Sequence, residues 1–363
     1  MTKARTNASA SPAVGRNMII NGAMNVAQRG TSFTGIGASS GYSGPIDRFR
    51  LSAGSTAGRL TASQTADGPN GISANCLKLD CTTADTNIAA GEKLIIEQRF
   101  EGQNLQRIGK GVAGAKQVTV SFYAKANASF TFACELFDFD NQRQISKLFS
   151  VTSDWSRVEL TFPADVDDGS SSLADDSAAA MSLFLHLHAG TNFTSGTLNT
   201  SSFANNTNAN RAVGIDSFYS NTANNFFLTG VQMEVGPVAT EFEQEDFGVT
   251  LSKCQRYYQK WLADTASDSM LTGAMISDTG FIGDYFLKTS MRGVPTLAAT
   301  GTFAVRLKTN DRSLSSGPVL NRATPDTVQV SMTIGDNNES GFAGFLKCAS
   351  SDDDAFVEFI AEL

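Results

Sequence analysis

The chain is poor in charge and in reactive side chains. Lys, Arg, Asp and Glu make up 18% of its 363 residues, below the usual quarter, which argues against a scaffold of long charged helices. Basic residues are outnumbered 28 to 36, for a net charge of −8. No basic stripe exists to displace counterions from a phosphate backbone, so nucleic acid is a poor partner. Five cysteines are present: Cys76, Cys81, Cys134, Cys254 and Cys348. Their number is odd and no C-x-x-C pair occurs, so no zinc site is suggested. They read as small buried hydrophobes in a chain folded in a reducing cytoplasm. No apolar run approaches the roughly 18 residues of a membrane span. No apolar core follows Lys3 and Arg5, so neither membrane insertion nor a secretory signal is expected. A chain of this kind that acts outside a cell would leave inside a larger assembly.

What the chain has is strand chemistry. It is 41% hydrophobic with 25 Phe, enough for β-sandwich cores. Period-2 alternation recurs. Val118, Val120, Phe122 and Ala124 share one face, and Phe130, Phe132, Cys134 and Leu136 another. Val158, Leu160 and Phe162 repeat it, as do Met181, Leu183, Leu185 and Leu187, then Val231, Met233 and Val235. Half-buried antiparallel strands of a sandwich explain this pattern. Residues 165–176 and 191–211 read as turn-rich stretches, the second as a long exposed loop. One segment changes period: Phe247, Leu251, Cys254 and Tyr258 fall at helical spacing, with Tyr257 and Trp261 beside them and Asp246 or Thr250 able to cap the start. Alternation then returns at Val328, Val330, Met332 and Ile334, and residues 341–346 and 355–363 read as two more strands. The expected fold is all-β: a flexible arm over residues 1–16, a β-sandwich over 17–247, a helix over 248–262, and a second small β-sandwich domain over 263–363.

Several segments, in order, resemble a group of bacteriophage tail-fibre and virion structural proteins that carry a jelly roll like that of carbohydrate-binding modules. Asn17 to Thr31 (NMIINGAMNVAQRGT) is similar to the group's opening. Tyr42 with Asp47-Arg48-Phe49 is similar to its "Y…DRW" element, with Phe49 where Trp is usual. Residues 96–102 (IEQRFEG) and 118–125 (VTVSFYAK) look like its central strands. The most specific run is 228–236 (LTGVQMEVG), then 239–243 (ATEFE), then 254–258 (CQRYY). Residues 290–296 (SMRGVPT) look like the start of its C-terminal β domain. The resemblance implies a jelly roll over 17–247, a virion location and a structural role, as a tail fibre, head fibre or capsid decoration. By family analogy it also implies a homotrimer bound to other virion proteins. The segment 17–33 and the arm before it are expected to attach the chain to the particle.

Candidate sites are sparse. His186 and His188 are the sole histidines, two apart, so both leave one side of a strand whose Leu185 and Leu187 face the core. At a three-fold axis six imidazoles would suit iron or nickel; the plainer reading is two surface or interface histidines. Asp165 to Gly169, with Asp175 and Asp176, offers oxygens to calcium but breaks the EF-hand spacing, and a solvated loop explains it as well. Gly109 to Gly114 matches G-x-G-x-x-G by letter, yet a strand follows where a dinucleotide fold needs a helix, so it reads as a turn. Trp155, Tyr219, Phe226 and Tyr123 are candidates for stacking on sugar rings, against the commoner use of aromatics in cores and interfaces. No nucleophile–base constellation is spaced for catalysis, and no cofactor is expected. The expectation is a non-enzymatic virion protein with possible host-glycan adhesion. The alternatives are a receptor-binding module whose main role is glycan recognition and, behind it, a polysaccharide depolymerase.

Overall fold

A computed structural model describes residues 15–37, 44–166, 170–263, 268–335, 340–349 and 354–363. Residues 1–14 of the expected arm, Tyr42, and Asp167 to Gly169 lie outside the described residues. The chain divides into two compact units, 1–250 and 251–363. It is all-β, as the alternation required.

The first unit contributes twelve strands: β1 (Ser32–Ile36), β2 (Arg50–Gly54), β3 (Arg59–Thr65), β4 (Cys76–Thr83), β5 (Lys93–Glu101), β6 (Val118–Ala126), β7 (Phe130–Asp138), β8 (Arg143–Val151), β9 (Ser156–Phe162), β10 (Ala179–Ala189), β11 (Ala204–Asn205) and β12 (Asn225–Val235). They form two six-stranded sheets, ordered β1-β3-β4-β12-β6-β9 and β11-β8-β7-β10-β5-β2. We call these the β12 sheet and the β10 sheet. Alternating residues face inward: Val120, Phe122 and Ala124 from β6 meet Phe132, Cys134 and Leu136 from β7 and Leu183, Leu185 and Leu187 from β10 in one apolar core. Phe132 sits edge-on to Phe226 at 5.7 Å, and Phe122 edge-on to Phe149 at 5.0 Å, a favoured geometry for aromatic pairs. All five cysteines are buried, as expected of small core residues.

The segment expected to dock on the particle is built into this sandwich. The Asn17 side chain accepts from the Ile19 and Met233 amides, and donates to the Val231 carbonyl at 3.2 Å. Its backbone amide donates to Glu243 at 2.7 Å. Gln98 on β5 holds Ile20 by both its amide oxygen and its amide nitrogen, at 2.8 and 3.0 Å. Asn21, buried and left-handed at φ 62°, bonds Val26 and Asp47. Met24 and Val26 enter the interior. Residues 17–26 thus tie one sheet to the other, and two runs of the resemblance, 17–31 and 228–243, knit together through Asn17. Their chemistry serves the fold, because every polar group they bring inside must find a partner.

A short helix α1 (Thr191–Thr194) lies in the loop after β10, and α2 (Phe247–Gln255) follows β12. Asp246 accepts the Gly248 amide at 2.8 Å, so it supplies the expected cap. The helix ends seven residues before the expected limit. The second unit's strands are β13 (Tyr258–Leu262), β14 (Ser269–Met275), β15 (Gly280–Phe286), β16 (Thr296–Thr300), β17 (Phe303–Leu307), β18 (Asn310–Ala323), β19 (Thr327–Ile334), β20 (Ala343–Cys348) and β21 (Phe356–Ile360). Tyr258–Leu262 pairs along its whole length with β21. The buried Gln259 side chain accepts from Lys288 and donates to Gln255 and Thr289. Those tertiary bonds override the helical spacing of Tyr258 and Trp261. β14, β15, β19, β18, β17 and β20 close into a barrel, and β13, β21 and β16 form a three-stranded sheet. The second domain is thus a barrel with a side sheet where a small sandwich was expected. Val328, Val330, Met332 and Ile334 line its core with Phe281, Val305 and Leu346.

Candidate functional site: a cleft on the outer face of the β10 sheet

Strands that bury one face against the core carry polar or charged residues on the other. The β10 sheet departs from this. Ile95 on β5, Phe137 on β7 and Phe184 on β10 point away from the core and pack with Phe139 into a separate apolar cluster. Phe137 meets Phe139 edge-on at 5.0 Å, and Phe184 lies 6.0 Å from Phe137. This cluster floors a small cleft of about 230 Å³ whose walls carry Arg50, Lys93, Glu97, Arg99 and Arg211.

Two buried carboxylates organise the walls. Glu97 accepts from Arg99 at 2.6 Å and from Ser182 at 3.1 Å, and pairs with Arg50 at 3.7 Å. Glu135, with no exposed surface, takes the Arg211 guanidinium through Nε at 2.8 Å and Nη2 at 2.9 Å, and meets His186 Nε2 at 2.6 Å. Burial works to raise the Glu135 carboxyl, but Arg211 and His186 outweigh it and hold it below the usual range. Burial pushes His186 down, against the pull of Glu135. A neutral ring that donates from Nε2 is consistent with the geometry, since Nδ1 has no partner among the described residues and a second buried N–H would be left unsatisfied. Pinned this way, Arg211 lies over Phe137 at 4.8 Å and Phe184 at 5.3 Å, while Arg99 lies over Phe139 at 5.3 Å. Flat cations on a phenylalanine floor present apolar faces beside fixed donors.

The residues expected from sequence lie elsewhere. Phe226 and Tyr219 are fully buried, so neither is the exposed aromatic it was taken for. The reason for Phe226 is a bulge. Register shifts between Thr229 and Gln232, with Gly230 at φ 61°, so the inward phase runs Phe226, Leu228, then Val231, Met233. Extending Val231–Met233 backwards without the bulge turns Phe226 outward. Tyr219 sits in a short turn with its ring 5.2 Å from His188. Trp155 and Tyr123 do reach the outer face of the β12 sheet, both half-buried. Trp155 donates to the Asp67 carbonyl at 3.1 Å and meets Phe227 edge-on at 6.2 Å, with the Lys125 ammonium over both rings. Tyr123 lies under Arg157, beside Ile72 and Phe242. The four aromatics do not form one site.

His186 faces away from the core opposite Ile95, but a register shift after it sets His188 opposite the core residue Leu94 and against the Tyr219 ring; both histidines are fully buried. His188 bonds Ser217 at 2.8 Å and meets Glu92 at 3.4 Å. Each ring is bonded to side chains of this chain: His186 to Glu135, His188 to Ser217 and Glu92. Among the described residues no three His, Cys, Asp or Glu side chains converge as a metal cluster. Asp165 pairs with Lys110 at 2.7 Å and Arg143 at 2.6 Å, and Asp176 accepts the Ala178 amide, so neither presents a bare carboxylate to calcium. The glycines at 109 and 111 are left-handed, and a side chain at 111 would strike the Ser171–Ser172 backbone, so the run is a turn under close approach. Phe184 is 7% exposed within the single chain. The cleft residues were missed, yet they left a signal. Ile95 between Leu94 and Ile96, Phe137 after Leu136, and Phe184 between Leu183 and Leu185 are apolar residues on the outward phase.

No family model matches the chain, and no curated protein matches it. Its fold is similar to the enzymatically active domain of tailspike protein 4 of bacteriophage CBA120, at 11% identity and TM-score 0.31, over 61% of this chain and 22% of that one. It is also similar to a xylan-binding domain from Paenibacillus barcinonensis, at 10% identity and TM-score 0.28 over 61% and 96% of the two chains. A family 11 carbohydrate-binding module from Clostridium thermocellum aligns at 12% identity and TM-score 0.27, over 53% and 91%. Likeness at this level does not bear on ligand or role. Among the described residues no helix is long and apolar enough to cross a membrane.

Proposed function

We propose that this chain is a surface protein of a bacteriophage particle, a fibre or appendage subunit that is non-catalytic and holds a host glycan in the cleft of its first unit. The observation that carries the glycan reading is the cleft itself: a phenylalanine floor flanked by fixed guanidinium groups. A sugar ring offers an apolar C–H face to such a floor and hydroxyl oxygens to such donors. The virion location, the homotrimer and contact with other virion proteins rest on the resemblance of residues 17–31 and 228–258. A depolymerase is disfavoured because it needs one carboxyl kept protonated as an acid, whereas Glu135 is held ionised by Arg211 and Glu97 is ion-paired to Arg50 and Arg99. Single sites of this kind are weak, and display in many copies would multiply apparent affinity by about 10²–10⁴. The test is a glycan array probed with the full chain, clustered, beside a Phe184→Ala variant. Retention that the variant loses supports the reading; retention unchanged by the variant moves the site elsewhere. Antibody labelling of particles tests the location, and release of oligosaccharides from host polysaccharide would overturn the non-catalytic role.

A further inference from the structure

Within the cleft, the balance of donors and acceptors is uneven. Four cations line it, Arg50, Lys93, Arg99 and Arg211, against Glu97 in the wall and Glu135 beneath. That is 4 − 2 = +2 in a chain whose net charge is −8. Both carboxylates are engaged: Glu97 by Arg99, Arg50 and Ser182, Glu135 by Arg211 and His186. A neutral sugar needs acceptors for its hydroxyl protons, and these two offer few: Glu135 is bonded through both oxygens, and Glu97 takes its hydrogen bonds on Oε1 and shares Oε2 with Arg50 at 3.7 Å.

The donor side has a surplus. The Lys93 ammonium makes no hydrogen bond or ion pair among the described residues; its nearest ring is Phe193 at 5.8 Å. Its stem runs past Gly54, opposite it in the register, where a side chain would come within 3.3 Å of Lys93 Cγ. The glycine therefore leaves the lysine room to reach the cleft. Burial, then the nearby Arg211 and Arg50 charges, press the Lys93 ammonium below its usual range, with Glu97 and Glu135 opposing. A half-buried cation among cations is the environment that an arriving anion relieves.

We infer that the cleft selects acidic saccharides, with the Lys93 ammonium receiving the ligand's anionic group while the sugar ring lies on the phenylalanine floor. This rests on the glycan reading above and narrows it. The anionic group is a carboxylate, as in uronates and sialates, or a sulfate or phosphate ester. These share an oxygen-rich negative end, and the array separates them.

The experiment uses the full chain on an array of uronate-, sialate-, sulfate- and phosphate-bearing oligosaccharides beside neutral ones, with Lys93→Gln and Lys93→Arg variants checked for unchanged melting. The expected result is retention of acidic members, weakened roughly tenfold or more by Lys93→Gln, the loss of one charge-assisted hydrogen bond. Lys93→Arg should keep most of it, and raising the salt should weaken the wild type. Neutral members retained as well as acidic ones, with Lys93→Gln silent, would overturn the acidic ligand and leave glycan binding standing. Retention of no member at all would remove both.

Discussion

On the β10 sheet, the outward residues Glu135, Ser182 and His186 have no exposed surface, and Glu97 has 3%. On the β12 sheet, outward Lys78, Tyr123, Lys125 and Phe227 are only half-buried and keep contact with solvent. Both faces come from the same alternation of apolar and polar residues. The difference is what lies over them. Residues 190–217 cross the β10 sheet, anchored by Asn199 to the Gln144 carbonyl at 2.7 Å, Arg211 to Glu135, and Ser217 to His188. That cover removes water from one rank of polar groups and forces them to pair with one another. The open face meets its needs with water, the Lys125–Asp67 pair at 2.8 Å and cation–ring contacts. A covered polar face can hold groups in fixed positions, which is what a binding cleft requires.

The largest expected break in this contrast is Glu135→Ala. It leaves Arg211 and His186 without their shared carboxylate, and breaking a buried pair costs about 3–5 kcal/mol. Urea titration of the first unit's transition reads this, and a loss below about 1 kcal/mol would mean that the network is idle. The same network sets a pH dependence. His186 and His188 are pressed down, chiefly by burial, so the unfolded chain takes up protons first as pH falls. Stability contributed by the neutral rings is full above about pH 6.5 and is lost as pH drops below it. Glu135, held low, adds a second loss below about pH 4.3, as pH falls toward its folded value. Urea midpoints should therefore fall between pH 7.5 and pH 5; a rise over that interval would exclude neutral histidines.

Phe184→Ala tests the floor of the cleft. Removing a buried aromatic ring costs roughly 3 kcal/mol, and array retention should vanish with it. Phe227→Ala, on the open face, should cost less and leave retention intact. Gly230→Ala probes the bulge that sets the phase of β12. A side chain there would come within 2.8 Å of Ile72 and 2.9 Å of Tyr123, at a left-handed φ of 61°. A cost of about 1–2 kcal/mol is expected, and thermal unfolding would detect it. The smallest effect is Lys125→Ala: its pair with Asp67 is largely solvated, so the change should stay within about 1 kcal/mol. A loss as large as that of Glu135→Ala would erase the distinction between the two faces.

The amino-acid sequence by itself determined the all-β class, the inward phase of β6, β7, β10 and β19, the buried cysteines, and a helix start with Asp246 or Thr250 as its cap. Each is a local property: a period-2 pattern reports which side of a strand is apolar, and a cap depends on residues three or four apart. Tertiary structure alone decided the rest. It paired Tyr258–Leu262 with β21, flipped the phase of β12 at Gly230, and built residues 17–26 into the sandwich. It also laid residues 190–217 over the histidines and brought Arg50, Lys93, Arg99 and Arg211 from separate strands and a loop around one floor. Alternation cannot distinguish an outward residue that meets water from one that meets a loop far along the chain, because that choice is set by contacts between residues dozens of positions apart.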